Sequence, residues 1–209
     1  MHINEFLCKS SKIERVIHVL ESVLSVLFWV LMLYGFEEAH VASTTLLCVL
    51  IHEIGHECWL LFTTGGFGTI KGITTGFKIK RKRMLSYGKE LGLYLSGAGA
   101  NLVAVVVALP FIKSGNEYAE IFAALNAATA AANLLPVRGY DGYGAIMTCL
   151  DAAEATLHLY RILEIISCLI SVLAVMLSLY LMARVGEGYW IFAVFFVAML
   201  SELDSIFKK

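Results

Sequence analysis

His52-Glu53-Ile54-Gly55-His56 stands inside an apolar stretch long enough to cross a bilayer. Lipid penalises buried ionisable groups, so three of them within five residues demand a compensating partner. Histidines four apart stack on one helix face, where both imidazoles can share a metal ion. The glutamate between them is rotated about 100° from that face. It is better placed for proton transfer at a water beside the ion than for ligation.

The rest of the composition agrees with a membrane setting. Of 209 residues, 59% are hydrophobic, and the mean hydropathy is +0.77, more apolar than soluble domains usually are. The expected fold class is an all-α polytopic membrane protein with a single domain over residues 1–209. At a need of about 20 apolar residues per crossing, six spans are expected, near 16–35, 41–63, 91–112, 118–135, 162–183 and 189–203. The first reads as a retained span rather than a removable signal peptide, since it lacks a small-residue cleavage site.

Charge placement orients these spans. Of the 16 basic residues, only Lys113 and Arg184 fall on the side opposite the rest. The positive-inside rule then predicts a multi-pass cell-membrane protein with both termini in the cytoplasm. Spans three and four are rich in small residues (Gly92, Ser96, Gly97, Gly99 and Ala100, then the alanines from Ala119 to Ala132). Small residues let helix backbones approach closely in lipid, so these two spans are expected to be central. Between spans two and three, Thr69-Ile70-Lys71 and Phe77-Lys78-Ile79-Lys80 alternate apolar with polar residues among glycines. That pattern predicts a small cytoplasmic-side β-hairpin or strand element, with a basic membrane-surface loop as the equal alternative. A net charge of −1 offers no basic field for nucleic acid. The five cysteines form no paired CxxC spacing, which argues against a disulfide framework or a thiolate zinc site.

Catalytic zinc usually takes three protein ligands and keeps one position for water. The candidate third ligand is Asp141, in Asn133-Leu134-Leu135-Pro136-Val137-Arg138-Gly139-Tyr140-Asp141-Gly142. Pro136 ends span four without needing a backbone N–H, and spans two and four run toward the same side, so their ends can meet. Asp141 as the N-cap of the following helix is the alternative reading.

The two motifs together resemble the site-2 protease family of intramembrane zinc metalloproteases. His52, Glu53 and His56 match its HExxH. Asn133, Pro136, Asp141 and Gly142 match its second motif at the same spacing, and Gly97-Ala98-Gly99-Ala100-Asn101 is similar to its G-x-x-x-N helix. The short form looks closest to the bacterial sporulation-factor processing branch. Tyr140, Gly139 and Leu134 depart from the family's usual residues in the second motif, which leaves substrate preference open.

The resemblance implies a metalloendopeptidase that hydrolyses a peptide bond in or near a transmembrane segment of a membrane-bound substrate, with its active-site opening toward the cytoplasm. It implies one zinc ion held by His52, His56 and Asp141, with Glu53 as the catalytic proton-transfer group. Asn133 and Asn101 become candidates for substrate binding or oxyanion stabilisation, each with a structural alternative as a backbone-bonded or interhelical asparagine. The expected partners are a membrane-spanning peptide or protein substrate and the lipid bilayer. The rival readings are an inactive relative acting as a membrane scaffold and a transporter. A transporter needs polar groups spread along several helices, whereas here they gather near the ends of spans two and four.

Overall fold

The computed structural model describes residues 24, 26–66, 69–73, 76–80, 85–185 and 189–207. Among these residues there are seven helices: α1 (Val26–Phe36), α2 (Ala39–Thr64), α3 (Tyr87–Lys113), α4 (Glu117–Asn133), α5 (Asp141–Ala152), α6 (Leu157–Val185) and α7 (Tyr189–Phe207). Between α2 and α3 lie two five-residue strands, β1 (Thr69–Ile73) and β2 (Gly76–Lys80). They pair antiparallel with Ile70 opposite Ile79.

Helix boundaries follow local chemistry. Helix α2 ends where Gly65 turns left-handed at φ 70°, its N–H closing onto the Leu61 carbonyl. The Asn116 side chain caps α4 by accepting from the Ala119 N–H at 3.2 Å. Hydroxyls inside the helices bond back to the preceding turn, as Thr45 does to the Val41 carbonyl and Thr129 to the Leu125 carbonyl. Such bonding gives these hydroxyls a partner in an apolar setting.

Among the described residues, the expected six spans are corrected to three. Only α2, α3 and α6 are long and apolar enough to cross a membrane among the described residues. Helix α4 has 17 residues with Glu117 and Glu120 in its first turn. At 1.5 Å per residue it reaches about 26 Å, short of a hydrocarbon core of about 30 Å. Helix α7 has an apolar part of only Ile191–Leu200, and the described part of the first expected span is the short helix Val26–Phe36. The rest of that span lies outside the described residues. The runs near 118–135 and 189–203 read as spans because they are apolar, but α4 and the apolar part of α7 are too short to cross the hydrocarbon core.

Many large apolar side chains face outward, including Val103, Val106 and Val107 on α3 and Leu169, Leu173, Met176 and Leu177 on α6. Patches of this extent are unusual on a water-soluble monomer, and with three spanning-length helices they support a membrane location. Helix α3 is central, packing on α2, α4 and α5, while α2 also meets α4. Helices α6 and α7 pack chiefly on each other, and α6 also meets α5. Glycines set the α2–α3 crossing: a Cβ on Gly55 would sit 2.5 Å from the Ser96 carbonyl oxygen and 3.1 Å from the Gly97 Cα.

Candidate metal centre

The buried residues of α2 are Ala42, Thr45, Cys48, His52, Gly55, His56 and Leu60. Their spacing of three and four makes one helical stripe, and that stripe turns both histidines toward α3. Each imidazole is then fixed from behind. His56 Nδ1 lies 2.7 Å from the Leu93 carbonyl oxygen, which can only accept. His52 Nδ1 lies 2.9 Å from Asn101 Oδ1. The Asn101 amide is oriented by its own donors, since Nδ2 donates to the Cys48 carbonyl at 2.9 Å and to Asn126 Oδ1 at 2.8 Å. Asn126 in turn donates to the Phe122 carbonyl at 2.8 Å. Asn101 and Asn126 are both 0% exposed.

These contacts assign the tautomers. Both histidines carry their proton on Nδ1, so both Nε2 lone pairs point forward. They face each other at 3.1 Å, and both face Asp141 Oδ2, at 2.9 Å from His52 and 3.0 Å from His56. Three lone-pair-bearing atoms converging in a buried place repel one another unless a cation lies among them. Tetrahedral ligands at about 2.0 Å from zinc stand about 3.3 Å apart, so the observed triangle needs only a slight expansion to fit that ion. His52, His56 and Asp141 form the one such group of potential metal ligands found among the described residues.

Asp141 reaches this point through a defined turn. The chain leaves α4 at Leu134, and the Tyr140 N–H bonds the Val137 carbonyl at 3.0 Å. Gly139 takes φ 95°, a conformation that favours glycine. Helix α5 then starts at Asp141, with Tyr140 rather than Asp141 in the N-cap position, so the capping alternative falls away. A Cβ on Gly142 would lie 2.1 Å from the Leu134 carbonyl oxygen. The start of α5 is thus pressed against the end of α4. Burial pushes the neighbouring Tyr140 phenol up to about 12, so it stays protonated at ordinary pH.

Gly97 closes the cluster from the α3 side. A Cβ there would sit 2.5 Å from His56 Nε2 and 2.6 Å from His52 Nε2. The missing side chain leaves room in front of both ligand nitrogens. Glu53 is half-buried on α2 between the two histidines, outside the converging triangle. Asn133 donates to the Thr129 carbonyl of its own helix at 3.0 Å. Asn101 is enclosed and engaged at both amide ends.

Sequence reasoning passed over Asn126, the Leu93 carbonyl and the contacts of Arg138. Asn126 was discoverable as the isolated amide within an alanine-rich run, whereas a backbone carbonyl carries no sequence signal. Cys48, Cys58, Cys149 and Cys168 are free thiols, and Cys8 lies outside the described residues.

Fold and site together define a class: helices suited to a membrane, enclosing two imidazoles and a carboxylate gathered on one point. The fold is similar to that of the solved Site-2 Protease from Methanocaldococcus jannaschii, with a TM-score of 0.60 and 15% identity over 88% of this chain and 87% of that one. At that identity the likeness is one of fold. No protein-family model matches the chain, and no curated protein matches it by sequence.

Proposed function

We propose that the chain is an intramembrane zinc metalloendopeptidase of the site-2 protease type, cleaving a peptide bond in or near a transmembrane segment of a membrane-bound substrate. The observation that carries this reading is the convergence of His52 Nε2, His56 Nε2 and Asp141 Oδ2 within 3.1 Å of one another. Both tautomers are set by the partners behind the rings, so the lone pairs face forward.

When bound there, a zinc ion supplies Lewis acidity toward water and the scissile carbonyl. His52, His56 and Asp141 would hold it. Glu53, between the histidines but outside the triangle, takes the proton from the attacking water and hands it to the leaving amine. Asn101 and Asn126 act behind His52, fixing its ring and its proton. The enclosure of Asn101 favours this role over substrate binding, whereas Asn133, with one N–H bonded to the Thr129 carbonyl, keeps its second N–H and its carbonyl oxygen for a substrate. Both termini and the opening lie in the cytoplasm, on the strength of the basic-residue asymmetry. The placement nearest the sporulation-factor processing branch rests on the motifs alone.

The test compares purified wild type with Glu53→Gln for metal content and for cleavage of a panel of membrane-spanning peptides. Equal zinc loading with cleavage by wild type alone is expected, with a rate loss of roughly 100-fold or more. Full activity in Glu53→Gln would exclude the proton-transfer assignment.

A further inference from the structure

A second buried polar cluster lies between the C-terminal helices and the turn that carries Asp141. Glu202, on α7, is 2% exposed. Its Oε1 accepts from the Arg138 backbone N–H at 3.1 Å and from the Ser167 hydroxyl of α6. Its Oε2 accepts from Arg138 Nε at 3.2 Å. Arg138 Nη2 also reaches Glu164 Oε1 of α6 at 3.4 Å, and the Arg138 N–H is shared with Ser167 Oγ at 2.8 Å. The guanidinium stacks over the Tyr143 ring of α5, 5.4 Å from its centroid.

A buried carboxylate is costly unless it is paired and fully hydrogen-bonded. Glu202 meets that condition by gripping Arg138 twice, once at the main chain and once at the side chain. Gripping the main chain matters most. Arg138 and Gly139 are the middle residues of the turn closed by the Tyr140 N–H on the Val137 carbonyl, and Val137 itself is fully buried. Asp141 follows that turn directly. Little torsional slack remains between the atom that Glu202 holds and the carboxylate aimed at the two imidazoles.

We infer that Glu202 is a positioning residue: through Arg138 it holds the 137–140 turn so that Asp141 meets the histidines. The α6–α7 pair thereby completes a ligand set whose histidines come from α2. The inference rests on the metal-site reading above and deepens it.

The test uses the full chain in lipid nanodiscs, with zinc affinity measured by chelator competition and cobalt(II) absorption reporting the coordination sphere. In Glu202→Gln, the introduced amide turns a donor toward a donor at Arg138 Nε or forfeits the grip on the main chain. Zinc affinity is expected to fall about 10-fold or more, with the cobalt spectrum moving toward that of Asp141→Ala. Arg138→Lys, which keeps the charge and the gripped backbone N–H but loses the Nε contact, is expected to lose less zinc affinity than Glu202→Gln. If Glu202→Gln does not fold, Ser167→Ala serves instead, and a loss of about 3-fold is expected from the weakened grip. Wild-type affinity and spectrum in the folded variant would overturn the inference and leave the metal site standing. Failure of wild type itself to bind zinc or cobalt stoichiometrically would instead overturn the metal-site reading, and this inference with it.

Discussion

At the scale of single residues, the site is defined as much by what is missing as by what is present. Gly97 is the clearest instance, because a methyl group there would lie within 2.6 Å of both ligand nitrogens. Gly97→Ala is expected to cost more than about 10-fold in zinc affinity while the helices remain folded, checked by metal analysis beside circular dichroism. Undiminished zinc binding in that variant would place the ion elsewhere. His52, Glu53 and His56 were legible in sequence because helical spacing alone puts them together. The reason for a glycine opposite them was not, since it depends on how closely α3 approaches α2. The same holds for Asn101: its residue type announces a polar role, but only the packed neighbours reveal that its oxygen serves His52 and its amide serves Cys48 and Asn126.

At the scale of elements, the crossing of α2 on α3 aligns the donors. Gly55 lets the two backbones touch, and one turn of α3 then delivers the Leu93 carbonyl to His56 while another delivers Asn101 to His52. Gly55→Val is therefore expected to push the helices apart. Overpacking of this kind costs about 1–3 kcal/mol, and both histidines lose the partners that set their tautomers. Thermal unfolding should show the destabilisation and metal analysis the loss of zinc. A variant as stable and as well loaded as wild type would mean that the crossing does not govern the site. The central place of α3 was legible from its small residues, which have one physical use in lipid. The span count was not. Helix α4 reads as a crossing by its apolar run, yet it is too short and carries its acidic residues within its first turn.

At the scale of the whole molecule, the candidate ligands come from two distant stretches of chain, and an ion held by them would tie α2 to α5. An ion that binds only the folded state stabilises it by mass action, about 4 kcal/mol when its free concentration is a thousand times the dissociation constant. Stripping the protein with a chelator is expected to lower its unfolding temperature, and restoring zinc to recover it. An unfolding temperature indifferent to both treatments would show that no ion couples α2 to α5. A second tie, the Arg138–Glu202 pair, joins the C-terminal helices to the same turn. Glu202 stands in the last apolar segment, and nothing in the sequence names Arg138 as its partner.

Sequence alone determined the chemistry on offer: two imidazoles and a glutamate at helical spacing, an aspartate after a proline-broken helix, and enough apolar surface to require lipid. These are local properties, set by residue type and the period of the helix. Tertiary structure decided that the three candidate ligand atoms converge, which way each imidazole carries its proton, and which of the described helices have the length to cross a bilayer. Those outcomes depend on contacts between residues far apart in the chain, where backbone carbonyls and absent side chains count as much as the groups a sequence displays.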